Sequence, residues 1–250
     1  MVCRRYAVAA TASEPVQDPG TPAMRMDTSV NTMGRHFQTL EGVIAEQTLQ
    51  AITSRPFRLT NMTPVQEEVL GLLPGLAALP EQRKNSDQPR DLLVRAKTGT
   101  GKTLAFLVPA IEARIKAIEA HGLQAVKDAG LVNDTGLRAR AEKRYARETV
   151  GTLIISPTRE LATQIANEAL RLSYHHDGFE VQLFTGGTSK MKQVREWMKG
   201  RRDIVVATTG RLRDLLSTEP SVVAALEHTN TVSFLFDCEC FAQVYKAHSG

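Results

Sequence analysis

The stretch Leu92-Leu93-Val94-Arg95-Ala96-Lys97-Thr98-Gly99-Thr100-Gly101-Lys102-Thr103-Leu104 decides the fold. Its apolar start reads as a short strand, its glycines as a tight turn, and the apolar run from Leu104 to Ile118 as a helix that follows at once. Glycines at 99 and 101 let the backbone curl so that successive N–H groups point into one concavity, and the start of the helix adds positive potential. That is a socket for phosphates. Lys102 would place a point charge between the outer two phosphates of a nucleoside triphosphate, and the Thr103 hydroxyl would ligate Mg²⁺. Ala96 stands where the general pattern has its first glycine, at a position that only begins the loop.

Outward from this stretch, three more apolar runs read as buried strands: Leu153 to Ile155, Val181 to Phe184 and Ile204 to Ala207. Helical segments separate them. Such alternation predicts an α/β architecture, an open and mostly parallel sheet with helices on both faces, all four strands being buried on both sides. Ligands in such folds sit at the carboxyl ends of the strands, so the chemistry is expected just after each run. Upstream, Leu40, Val43, Ile44 and Leu49 share one helical face, and Thr63 followed by Pro64 is a helix start that Gly71, Pro74 and Gly75 bring to an end.

Length and composition set the outer limits. The 250 residues hold one large domain or two small ones, and 42% hydrophobic against 23% charged residues leaves enough apolar mass for a core. No run approaches the roughly 18 apolar residues a membrane span needs. Cys3, Cys238 and Cys240 imply no disulfide framework. The net charge of +4 is unevenly placed: Lys190, Lys192, Arg195, Lys199, Arg201, Arg202, Arg211 and Arg213 face only Glu196 and Asp203 in one short interval, as a polyanion-binding surface would.

Residues 1–36 read as a disordered leader, with Arg4, Arg5, Arg25 and Arg35 suiting a mitochondrial presequence and Glu14, Asp18 and Asp27 speaking against one. The main domain is expected at 37–231. Within it, the charged stretch 112–149, with eight basic and six acidic residues and glycines at 122, 130 and 136, reads as an exposed helical excursion without chemistry.

Gln66 can donate and accept at once, which matches the N6 and N7 edge of adenine, and Phe57 or Arg58 would stack on the base. Gln66 after its proline, AKTGTGKT at 96–103 (Ala96, Lys97, Thr98, Gly99, Thr100, Gly101, Lys102, Thr103), PTRELA at 157–162, the Gly186-Gly187 pair and Thr208-Thr209-Gly210-Arg211 occur in an order that resembles the first RecA-like domain of DEAD-box RNA helicases, and the chain is similar to the fungal mitochondrial branch. The resemblance implies an ATP-dependent RNA helicase in which Gln66 and the loop hold ATP and Mg²⁺. It also implies that Pro157, Thr158, Arg159, Gly186, Gly187, Thr208, Gly210 and Arg211 contact the RNA backbone. Such contacts fix register without reading sequence, and they weaken with salt. A monomer in a mitochondrial setting is the corresponding expectation.

Two departures stand against the family pattern. Thr209 replaces its usual proline. Where Asp-Glu-Ala-Asp is expected, the chain reads Asp237-Cys238-Glu239-Cys240, so no intact catalytic residue is assigned. Residues 232–250 are expected to be an aberrant tail, since Val232-Ser233 is encodable as GTGAGT, a typical intron start. On this reading the second helicase lobe, with its arginine finger, is absent from the chain. The alternatives are a catalytically inactive RNA- and ATP-binding fragment, or an unrelated P-loop ATPase.

Overall fold

The computed structural model describes residues 6–10, 34–79 and 91–235. The first described element is strand β1 (Tyr6–Ala10). A 3-10 turn at Phe37–Leu40 and helices α1 (Glu46–Thr53) and α2 (Pro64–Leu70) precede β2 (Asp91–Arg95). The glycine loop then leads into α3 (Lys102–Asp128), followed by α4 (Thr135–Glu148). Strand and helix alternate from there: β3 (Thr152–Ser156), α5 (Arg159–Leu172), β4 (Val181–Phe184), α6 (Lys190–Lys199), β5 (Ile204–Thr208), α7 (Thr209–Thr218), α8 (Pro220–Leu226) and β6 (Thr231–Phe234).

Every strand pair is parallel, and the main sheet has the order β4-β5-β3-β6. Successive side chains of a strand point to opposite faces, so each central strand feeds two cores. Ile154, Ile204 and Val206 join Ile165 of α5 and Leu107 and Ile111 of α3 on one face. Leu153, Val205 and Ala207 meet Trp197 of α6, Leu215 of α7 and Val222 of α8 on the other. Helices therefore cover both faces, as the apolar runs predict. Trp197 is wholly buried there and has a structural role.

The structure corrects the reading of β2 and of the charged stretch, and it describes further residues at both ends of the domain. Strand β2 is bonded to β1 in a separate two-stranded ribbon and makes no ladder with the main sheet among the described residues. Leu93 is consequently 44% exposed rather than buried on both faces. Residues 6–10 are a strand within what the composition marks as an unstructured leader, because the apolar edge of β2 offers a ladder for a short, small-residue run. Ordered structure also begins before Phe37, where Met62 donates its backbone N–H to the Arg35 carbonyl at 2.9 Å.

The charged stretch is not wholly exposed. Its first residues continue α3 through the core, with Glu112 and Arg114 buried. Gly122 lets α4 lie close, since a Cβ there would strike the Glu142 side chain. Finally, Val232 to Phe234 pair with Leu153 to Ile155 of β3 and Leu235 donates to the Ile155 carbonyl at 3.0 Å, so the sheet continues past Thr231. Asp237, Cys238, Glu239 and Cys240 lie outside the described residues.

Among the described residues, the buried charged side chains Glu112, Arg114 and Asp203 each have partners. Arg114 Nε meets Asp203 Oδ1 at 2.9 Å, its Nη2 donates to the carbonyls of Ala146 and Thr149, and Arg201 braces the other side of Asp203 at 2.8 Å. Burial pushes the Arg114 guanidinium below its ordinary value, and Asp203 opposes that. The Glu112 carboxylate accepts from the Ala45 N–H at 2.9 Å and from the Thr48 hydroxyl at 2.7 Å, and burial raises its pKa. His176 Nε2 completes this chain at 2.9 Å from Thr48 Oγ1.

Candidate functional site

Two groups of loops carry the residues the sequence singles out. The first is built on α2. Thr63 caps it in a reciprocal box with Gln66: the Thr63 hydroxyl accepts from the Gln66 N–H at 3.3 Å, and Gln66 Oε1 accepts from the Thr63 N–H at 2.9 Å. Both residues then reach the glycine loop. Thr63 Oγ1 donates to the Thr100 carbonyl at 2.8 Å and Gln66 Nε2 to the Gly101 carbonyl at 3.2 Å. Each Gln66 amide atom retains one spare bonding position, an N–H and a lone pair, so the side chain can still present a donor and an acceptor together.

Gly99 and Gly101 adopt φ of 80° and 76°, and a Cβ on Gly101 would collide with the Gln66 amide. The loop needs glycine here for backbone shape and for close approach alike. No side chain caps the start of α3, and no acidic residue stands in its first turn. Lys102 Nζ folds back onto the carbonyls of Ala96 and Lys97 at 2.6 and 2.5 Å, keeping a third N–H. Uncapped N–H groups and an ammonium group at one helix start suit the phosphates of a nucleotide. Thr103 lies beside Glu168 of α5, where burial raises the Glu168 carboxyl and the Thr103 hydroxyl and Arg171 pull it down.

The two stacking candidates separate. Phe57 is partly buried, packed on the core with the Arg171 guanidinium over its ring at 4.3 Å. Arg58 is exposed and takes φ of 60°, the one non-glycine residue in the left-handed region among those described.

The second group gathers at the carboxyl ends of β3, β4 and β5. Thr158 caps α5, accepting from the Leu161 N–H at 3.2 Å, and Arg159 lies on the Gly186-Gly187 backbone, where a Cβ at either glycine would meet its guanidinium. Gly187 holds φ of 83°. Arg211 donates to the Thr188 carbonyl at 3.0 Å and to Gln193 Oε1 at 2.7 Å. Pro157, Thr158, Arg159, Gly186, Gly187, Gly210 and Arg211 thus share one rim. Thr208 departs from this set: it is buried, and its hydroxyl turns inward to the Phe184 carbonyl at 3.4 Å.

The phosphate loop does not sit in the same ladder as this rim, because β2 belongs to the separate ribbon. Helix α5 connects the groups instead, with Arg159 at its start and Glu168 beside Thr103 about 13 Å further along its axis.

The model of the DEAD/DEAH box helicase family matches residues 63–235, well over half of the chain. The chain belongs to that family. Among relatives, the mitochondrial ATP-dependent RNA helicase mss116 of Aspergillus oryzae is 36% identical over 204 residues, covering 81% of this chain and 26% of its own length. DEAD-box ATP-dependent RNA helicase 25 of Arabidopsis thaliana is 36% identical over 167 residues, covering 67% and 23%. The chain spans about a quarter of the length of the curated relatives it matches. Among solved structures, Mss116p bound to ssRNA and AMP-PNP superposes with a TM-score of 0.56 at 23% identity over 86% of this chain and 43% of that one, which establishes the fold.

For this DEAD/DEAH box member, two contributors escape motif reading. Thr63 latches the phosphate loop through its hydroxyl, and its only sequence signal is the cap it forms. Gln193 anchors Arg211 from within α6, and nothing in a lone glutamine marks that role.

Proposed function

We infer that this chain is the ATP- and RNA-binding first lobe of a DEAD-box RNA helicase. The observation that carries the reading is the double latch from α2 onto the phosphate loop, in which Thr63 and Gln66 hold the carbonyls of Thr100 and Gly101. Adenine at Gln66 would be sensed by the same side chain that shapes the loop. Lys102 would turn from its own loop carbonyls to the outer phosphates, Arg58 would cover the base, and Thr103 would hold Mg²⁺, which neutralises charge on the phosphates. At the rim, Arg159, Arg211 and the N–H groups around Gly186-Gly187 would hold successive RNA phosphates without reading bases. In the family's full arrangement a partner lobe closes over ATP and RNA and separates a short duplex locally. The names of the relatives support a mitochondrial location.

Cys238 stands where the family places the glutamate that polarises the attacking water. The 250-residue chain is therefore expected to bind ATP and RNA but to hydrolyse ATP slowly. Equilibrium binding of a fluorescent ATP analogue, with and without Mg²⁺, tests the reading together with an RNA-stimulated ATPase assay. Lys102→Ala should abolish nucleotide binding and leave salt-sensitive RNA binding intact. ATP affinity that survives this substitution would remove the loop assignment.

A further inference from the structure

Helix α6 leaves the rim directly after Gly186-Gly187 and ends at Lys199, just before β5 begins, so it runs from the carboxyl end of the sheet to the opposite edge. Its exposed side carries Lys192, Arg195 and Lys199 at spacings of three and four, one stripe of a helix. Helix α4 ends at that same opposite edge, just before β3, and carries a second exposed stripe, Arg140, Lys143, Arg144 and Arg147. The stripes join end to end. Arg147 Nη2 donates to the Lys199 carbonyl at 3.0 Å, and the Arg202 N–H to the Ala146 carbonyl at 3.0 Å, while the Arg202 guanidinium lies over Trp197 at 4.0 Å.

Acidic groups along this path are few and occupied. Glu196 pairs with Lys192 at 3.9 Å, Glu148 with Arg144 at 2.9 Å, and Glu142 with Arg138 at 2.7 Å on the side of α4 turned to α3. Arg140, Lys143, Arg147, Arg195 and Lys199 have no acidic partner among the described residues. Each stripe is about 10 Å long, so the band continues the rim by roughly 20 Å. On the two exposed stripes seven cations stand against two exposed carboxylates, Glu196 and Glu148, so positive charge predominates.

We propose that the band formed by α6 and α4 is a second RNA-binding surface, which holds the phosphate backbone of RNA that extends beyond the segment at the rim. The proposal takes its ligand from the function inferred above. Its physical basis is a row of seven cations, five of them without an acidic partner among the described residues, that begins beside the phosphate-binding loops with spacing set by two rigid helices; such rows bind polyanions by releasing counterions. The ribose polymer is favoured over an acidic protein because the band is continuous with the loops already assigned to RNA.

The test compares a short oligouridylate that fills only the rim with the same strand extended by a hairpin, bound to the whole 250-residue chain. The variants are R140A/K143A/R144A/R147A on α4 and K192A/R195A/K199A on α6; their side chains are exposed, and the second set keeps the test open should the first misfold. The unaltered chain should bind the extended RNA about tenfold or more tighter than the short one. Each variant should lose that gain while binding the short RNA unchanged, and the slope of log K against log salt should fall by about 3 for the four α4 cations. Unchanged affinity and slope for the extended RNA would overturn the proposal, as would competition by polyglutamate equal to that by RNA. Failure of the short strand to bind at all, with the extended RNA still bound and released by the variants, would remove the rim reading and leave the band standing.

Discussion

Thr209 is the first helical residue of α7, and Thr208 before it is extended, with φ −84° and ψ 146°. Proline favours the first helical position, where its missing N–H costs nothing, and demands an extended predecessor. Both conditions hold, so Thr209→Pro is expected to stabilise the chain by about 0.4 to 1 kcal/mol through the unfolded state, read as a rise in thermal midpoint. A fall would mean that the Thr209 N–H is needed. His176 gives a prediction in pH. Burial, and then the neighbouring His175, lower its pKa from 6.5, with Asp203 opposing. The folded state therefore resists protonation: its stability is whole above pH 6.5 and is lost as pH falls through the depressed value. Glu112, across Thr48, has the opposite sign, its raised carboxyl contributing fully below 4.5 and losing that as pH rises. His176→Gln keeps an N–H for Thr48 and removes the titration, so the thermal midpoint of the variant should decline less between pH 6.5 and mildly acid conditions. Identical pH profiles for the two proteins would place the acid sensitivity elsewhere.

Helices α3 and α4 show how far an element is legible in a chain of letters. The start of α3 was readable because Gly99, Gly101 and Lys102 have a spacing with one structural use, and α2 because Thr63-Pro64 is a start signal that needs no tertiary help. The interior of α3 was not readable. Glu112 and Arg114 look like surface residues, and burial becomes tolerable only because residues far along the chain, Thr48 and Asp203, arrive as partners. Glycine at 122 looks like a break and is instead a contact point between two helices. Arg114 binds α3 to α4 through the carbonyls of Ala146 and Thr149 and to the main sheet through Asp203. Removing one partner of a buried pair leaves the other desolvated, which typically costs about 3 to 5 kcal/mol. Arg114→Met should therefore lower the free energy of unfolding by about that amount in urea titration, even though the thioether fills most of the volume. A loss under about 1 kcal/mol would show that Arg201 alone satisfies Asp203.

At the scale of the molecule, order along the chain predicts parallel strands but says nothing of which strands are neighbours. The rim residues were legible because each follows its strand, whereas the placement of β2 was not. Among the described residues, the phosphate loop hangs from a strand whose ladder is with β1, and it reaches the rest of the fold through α2 and α3. Freeing the β2 amides requires parting one pair of strands, while freeing those of β5, bonded on both sides and wholly buried, requires unfolding of the core. Amide hydrogen exchange should accordingly be on the order of 100-fold faster over Leu92 to Arg95 than over Val205 to Ala207, a gap of about 2.7 kcal/mol. ATP with Mg²⁺ at roughly 100 times its dissociation constant contributes a similar amount to whatever state binds it. If Lys102 and its loop are the grip, the nucleotide should slow exchange in β2 by up to two decades and leave the ratio between β3 and β5 unchanged. Equal protection of β2 and β5 without nucleotide would mean that the ribbon and the main sheet open as one unit, and a nucleotide effect spread evenly over both would say that ATP is held by something other than the loop.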